Sequence, residues 1–518
     1  MQMFMSMKNV FRKINIKALL ITIYTSIVWG IYIFLNCEQS SPILFTFLVI
    51  SSYALSVSIF KKLDKLTIST SIKDKKSKLK VFIVVSIITF ILMMIWLYAY
   101  YPGSYSLDSI NQYIQAINGE YNDWHPALHT LLIFTLPLKL TGNIASIIVF
   151  QIIYFSLTMG YLAMTMYEIF GIKATVISCL YILLNPFVGY ITLYPWKDTA
   201  FAITGLISTI ISVRLIILKE KPFKIWQVIL FGLVLASATI FRHNSILYIA
   251  PLLLVLFFNI DKKTWSKIIL SFIIMFFLIK VPFYKAFNVA KSETEVVELT
   301  GLPLTVIGEV AKYDSESMDD ELKEFAYSVA TPEQWENEYY EGNFNSIKWS
   351  GINTAPVEEQ GFGGMFKLMF KCFKESPVYS FRALFSLTDM VYGFEVGDEG
   401  YIDHRIVVND YGIKDEGNSL LGGIIDSYSS LVMSSPLMIV KTYGLALLVV
   451  LFVAIYVLNF KSWESWKKIF MALPIFIYDF GTMLLLTGPD SRFFYITFLV
   501  TPLIVCYLLY FKGENYGK

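Results

Sequence analysis

The stretch VFIVVSIITFILMMIWLYAY, residues 81–100, decides the fold: twenty residues without a charge, then a polar turn, Tyr101-Pro102-Gly103-Ser104-Tyr105-Ser106-Leu107-Asp108. About 30 Å of hydrocarbon takes ~20 apolar residues to cross as a helix. Lipid offers the backbone no hydrogen-bond partner, so a spanning segment must satisfy its own amides. Comparable runs recur near 18–37, 41–60, 144–169, 174–194, 199–218, 226–241, 245–260, 268–284, 437–459, 469–487 and 493–511. One more, Ala127 to Leu140, is too short to span and carries His129 and Pro137, which reads as a re-entrant or interfacial helix. The 518 residues are 56% hydrophobic and only 16% charged, with a mean hydropathy of +0.59. Soluble domains carry about 25% charged residues, so the expectation is an all-α polytopic membrane protein of about twelve spans.

Positive charge sets the expected orientation. Lys61, Lys62, Lys65, Lys73, Lys75, Lys76, Lys78 and Lys80 crowd one loop. Lys219, Lys221 and Lys224 mark a second, Lys262, Lys263 and Lys267 a third, and Lys461, Lys467 and Lys468 a fourth. All four are cytoplasmic only if the 127–140 run does not cross. Both termini of this cell-membrane protein then lie inside, and the polar turns around Asp108, Asp198, Arg242 and Asp490 lie outside. Lys8, Arg12, Lys13 and Lys17 precede an apolar run with no small-residue cleavage site, which reads as an uncleaved first span. Leu35-Asn36-Cys37 has a loose likeness to a lipoprotein site, with Asn36 a poor fit before the cysteine. The four cysteines give neither metal spacing nor a disulfide framework. A net charge of +2 leaves no domain-wide basic surface for nucleic acid.

Three parts follow: an N-terminal transmembrane domain over 1–284 with a catalytic outer loop at 101–143, an acidic extracytoplasmic domain over 285–435, and C-terminal transmembrane helices over 436–518. The middle part holds most of the chain's Asp and Glu. Thr331-Pro332-Glu333-Gln334 reads as a capping box opening a helix. Leu322, Phe325, Ala326 and Val329 keep helical spacing. Gly361-Phe362-Gly363-Gly364 and Gly422-Gly423 read as loops. Met365 to Cys372 and Val378 to Leu387 read as amphipathic helices on the membrane, with Lys367, Lys371 and Lys374 near headgroups.

Ionisable residues at span ends are costly unless paired or functional. Ser104, Ser106 or Asp108 can cap a helix over Ser109 to Ile117; alternatively Asp108 is a base that takes a proton from an acceptor hydroxyl. Asp123-Trp124-His125-Pro126 puts His125 four residues before His129, a weak metal signal without a third ligand. In Tyr194-Pro195-Trp196-Lys197-Asp198, Trp196 and Lys197 read as interface anchors and Asp198 as a cap; equally, Asp198 is a second acid and Lys197 meets an anionic headgroup. Arg242-His243-Asn244 interrupts an apolar run. A guanidinium there suits phosphate, whose oxygens match its fork of donors, or the triplet is simply a short loop. Gly488-Pro489-Asp490-Ser491-Arg492 has the same character, with Arg492 on phosphate or on Asp490.

This order of elements resembles the GT-C superfamily of integral membrane glycosyltransferases, especially the protein mannosyltransferase and aminoarabinose transferase branches, and related uncharacterised bacterial multi-pass proteins. Asp108 matches the acid of the first large outer loop, His125-Pro126 the His-Pro motif, Asp198 the later acid and Arg492 a late arginine. Leu107 stands where that loop acid often has an acidic neighbour. The resemblance implies sugar transfer, with inversion, from a polyprenyl-phosphate donor to an extracytoplasmic glycopolymer, glycolipid or protein. Asp108, Asp198 and His125 would be catalytic; Arg242, Arg492 and Lys197 would hold the donor phosphate; Asp123, His243 and Asn244 would contact substrate. It implies no cofactor and leaves a divalent metal open. Beyond the membrane lipids, the expected partners are the lipid-linked sugar and its acceptor. Two competitors are a flippase or transporter of lipid-linked substrate, which would carry charge in mid-span, and a surface polysaccharide polymerase or ligase. A third is a non-enzymatic anchor or sensor, which would not need twelve spans.

Overall fold

The computed structural model describes residues 15–36, 41–65, 75–219, 224–291, 296–394, 402–436 and 442–515. Lys8, Arg12, Lys13, Cys37, Lys73 and Lys221 lie outside the described residues. Among those described, the regular elements are helical, joined by three isolated bridges and no strand. Eight helices are long and apolar enough to cross a membrane: Ile16–Asn36, Pro42–Asp64, Lys76–Ala99, Ala145–Leu183, Lys197–Leu218, Lys262–Ala286, Trp463–Leu485 and Ser491–Lys512. Ala127–Thr141, Ile225–Phe241, His243–Asn259 and Tyr443–Val457 are shorter and apolar. The chain is an all-α, multi-pass membrane protein.

Helix ends follow local chemistry. Ser41 caps the helix that Pro42 opens, and Asp261 accepts from the Thr264 amide at 2.9 Å. The Ala145–Leu183 helix breaks at Gly171, where φ is 83°, a value that L side chains resist. The chain then doubles back, and Gln151 donates to the carbonyls of Thr192 and Tyr194 at 2.9 and 2.7 Å. Small residues let helices approach closely: a side chain at Gly160 would strike Ser86 and Phe82, and one at Gly189 would strike Trp96.

Contacts sort the bundle into two ends. At one, Glu168 binds Lys78 and Arg214, Tyr456 donates to Asp64 at 2.6 Å, and Asn259 donates to the Lys467 carbonyl at 2.9 Å. At the other, Lys280 pairs with Asp123 at 2.6 Å and Arg492 with Asp108 at 2.7 Å.

Residues 296–394 build a helical layer around Gly301–Tyr313, whose residues Gly301 to Ala311 are buried. The capping box at Thr331 and Gln334 forms, and Leu322, Phe325, Ala326 and Val329 are the buried face of Asp320–Val329. Met365, Leu368, Met369 and Cys372 turn into this layer and Lys371 binds Asp319 and Glu321, while Phe370, Val378 and Phe381 stay exposed. Two glycine expectations need correction. Gly361 does break its helix, but Gly363 and Gly364 are helical. Gly422 and Gly423 sit inside the Ser419–Ser434 helix, where Gly422 packs beside Tyr100.

The chain beyond 402 returns to the membrane helices. It crosses the Tyr101–Ser106 turn with backbone bonds Tyr105 N to Arg405 O, Val407 N to Tyr105 O and Glu416 N to Tyr101 O, each 2.9 Å. Asp426 then accepts from the hydroxyls of Tyr100 and Tyr190, both at 2.6 Å.

Candidate functional site

The helix Leu107–Asn118 begins at the end of the turn after the Lys75–Ala99 helix, and Ser106, not Asp108, is its cap: its hydroxyl accepts from the Ser109 amide. Asp108 sits in the first turn with its carboxylate free for other work. Arg492, from the short turn opening the last helix, reaches it with Nη1 at 2.7 Å from Oδ2. The same guanidinium holds Asp490 through Nε at 2.8 Å and lies 3.8 Å from Asp198. Arg242 pairs with Asp198 and with the Asn244 side chain, and stacks 4.1 Å from the Phe493 ring centroid. Three carboxylates and two arginines thus form one network drawn from four separated segments.

Exposure divides the network. Asp198 keeps 2% of its side chain exposed and Arg242 9%, so these two bury each other. Asp108 keeps 34%, enough to be reached from outside. Burial alone would raise the Asp108 carboxyl, but Arg492, with His125 and Lys197, outweighs it and holds it down to about 2. Burial raises the Asp490 carboxyl from its ordinary value despite Arg492. Lys197 is within electrostatic reach of Asp108, Arg242 and Arg492.

His125 precedes Pro126 and is 3% exposed, with Nδ1 buried and unpartnered. Burial and the charges of Lys197, Arg492 and His243 outweigh the pull of Asp108 and push the imidazole down to about 4, neutral at pH 7. A buried polar atom without a partner is uncommon. His129 shares this feature at Nε2, while Gln112 lies 2.8 Å from its Nδ1. Among the described residues, no three of His, Cys, Asp and Glu are grouped to hold a metal ion.

The remaining expected residues fall at the edge. Asp123 is taken by Lys280 at 2.6 Å and by the Tyr284 hydroxyl at 3.0 Å, which ties its loop to the Lys262–Ala286 helix. Asn244 donates to Thr482 at 2.8 Å. His243 is exposed and, with Lys280, lines a groove of about 420 Å³ whose other walls include Ile240, Ile246, Phe272 and Phe276. Trp196 is not an interface anchor. It is buried, stacks on Tyr194 at 3.9 Å, donates to Ser106 at 2.8 Å and lies under Arg492 at 5.1 Å. Its place was hidden in the sequence because tryptophan beside lysine at a span end usually signals the lipid boundary.

Residues 121–421 match the family described as "Family of unknown function (DUF6020)". The chain belongs to the DUF6020 family. No curated protein and no solved structure matches it. The DUF6020 region supplies His125, Lys197, Asp198 and Arg242, while Asp108, Asp490 and Arg492 come from the flanking chain.

Proposed function

We propose that this DUF6020 protein is a GT-C-type glycosyltransferase that moves a sugar from a polyprenyl-phosphate donor to an extracytoplasmic acceptor. The reading rests on one observation above all: Arg492 ties down the accessible Asp108 together with Asp490 and Asp198 at a single end of the bundle. Two arginines suit a phosphate better than carboxylates alone, because they bind it in a fork. The groove beside His243 and Lys280 has mostly apolar walls, a surface that suits a prenyl chain. The topology that goes with this reading has twelve crossings. Gly171 divides its long helix into two of them, Ala127–Thr141 is re-entrant, the lysine-rich loops and both termini are cytoplasmic, and the site faces outward.

The chemistry follows from competition for Arg492. A carboxyl held down to about 2 is a poor base. A donor phosphate that draws Arg492 onto itself releases Asp108 and raises its basicity. Asp108 then takes the acceptor hydroxyl's proton while that oxygen attacks the anomeric carbon. The bond from that carbon to the phosphate oxygen breaks, and the lipid phosphate leaves with the electron pair. Arg492 stabilises the departing charge directly and Arg242, buried behind it, adds its positive field, and attack opposite the leaving group inverts the anomeric centre. Asp198 is too buried to touch substrate and orients Arg242. Neutral His125 offers its open nitrogen to a sugar hydroxyl, and Lys197 adds positive charge at the phosphate.

The test is reconstitution with labelled polyprenyl-phosphate sugar and an extract of envelope glycopolymers. Label transfer in wild type that falls about 10²-fold or more in Asp108→Asn is expected for loss of a general base. Equal transfer in the variant overturns the role of Asp108, and donor that crosses the bilayer without transfer favours a flippase.

A further inference from the structure

A second, polar pocket opens beside the network. Its volume is about 430 Å³ and it is lined by Tyr340, Asn343, Asn345, Ser346, Pro489 and Asp490. Pockets of this size hold small ligands. One wall is the Tyr340–Ser346 loop of the helical layer; the other is the turn that carries Arg492. Asp490 belongs to both pocket and network, since its other face meets Arg492 at 2.8 Å.

The lining restricts the ligand. No lysine or arginine contributes, and Asp490 repels anions, so a phosphate or sulfate has no partner there. Prenyl and acyl chains are excluded by side chains that need hydrogen bonds. Two carboxamides and a carboxylate supply donors and acceptors, the set that matches neighbouring hydroxyls, while Ser346 holds the loop, accepting from the Tyr340 amide and donating to the Asn343 carbonyl, both at 2.8 Å. The Tyr340 ring, 61% exposed, offers a flat face to the C–H side of a pyranose.

The pocket is also built rather than incidental. The Asn345 amide donates to the Thr487 carbonyl at 3.0 Å, locking the two walls together. Gly488 has no room for a side chain between Asn343 and Asn345. Behind the loop, fully buried Glu309 accepts from the Gly342 amide at 3.3 Å and the Tyr339 hydroxyl at 3.2 Å, and Arg382 holds Glu341.

We infer that this pocket is the acceptor subsite and binds a polyhydroxylated sugar. The assignment rests on the transferase reading for its role, and on its own chemistry for its ligand. A sugar seated against Asp490 lies one arginine away from Asp108.

Saturation-transfer NMR on the full chain in nanodiscs tests it. The probes are oligosaccharides released by mild acid from the source cell's envelope and, separately, a Ser/Thr-rich peptide. Ring protons should receive saturation from wild type, and the effect should fall at least fivefold in both Tyr340→Ala and Asn345→Ala. Tyr340 is exposed, so its truncation leaves the fold intact. No saturation of the sugars, saturation unchanged in both variants, or saturation of the peptide alone overturns the subsite. Sugar saturation that obeys these variants while label transfer is absent would sink the transferase reading and leave the pocket standing.

Discussion

Asp108 and Asp198 show how burial assigns different work to two identical side chains. Asp108 is accessible and pairs with Arg492; Asp198 is sealed against Arg242. Truncation therefore has different consequences. Asp198→Ala leaves Arg242 buried without its counter-charge, a loss of about 3–5 kcal/mol for a broken buried pair. A markedly lower melting temperature in detergent is expected, and an unchanged one would contradict the pairing. Asp108→Asn should melt within a few degrees of wild type while losing transfer. Both acids were visible in the sequence as charges at span ends. Their division of labour was not, because it depends on Arg492, 384 residues beyond Asp108.

Among elements, the legible parts were those with local signals. The Thr331 capping box, the Leu322–Val329 spacing and the breaks at Gly171 and Arg242 each lie within a few residues of the chain. The segment 402–418 gave no such signal. Its backbone pairs with Tyr101 and Tyr105, some 300 residues away, and long-range pairing leaves no periodicity to read. The Gly422 helix was missed for a related reason: glycine is a loop residue by propensity, while contacts that hold this helix, Asp426 with Tyr100 and Tyr190, come from distant segments. Glycine-mediated contact makes a prediction for the Lys75–Ala99 and Ala145–Leu183 pair. Gly160→Leu drives a side chain into Ser86 and Phe82, an overpacking that costs about 1–3 kcal/mol. Thermal melting should fall accordingly, and a Gly160→Leu protein as stable as wild type would contradict the close crossing.

For the whole molecule, the helical layer and the bundle meet where the proposed subsite and the ion network share Asp490. That junction is pH-sensitive from behind. Burial, then Glu341, raises Glu309 from 4.5 to about 7, against the weaker pull of the Gly342 amide, Arg382 and Tyr339. The folded protein therefore binds more protons than the unfolded chain between about pH 4.5 and 7. Stability from this group is fully present below 4.5 and is lost as pH rises through 7. Wild type should lose melting temperature from pH 5 to pH 8 more steeply than Glu309→Gln; equal slopes would contradict the raised pKa. The central claim, that Arg492 exchanges carboxylates for a lipid phosphate, is tested most directly by the affinity of a short-chain polyprenyl phosphate for the protein in nanodiscs. Arg492→Ala should bind it at least tenfold more weakly than wild type, with binding of the matching polyprenol unchanged. Equal affinity of both proteins for the phosphate would contradict the claim.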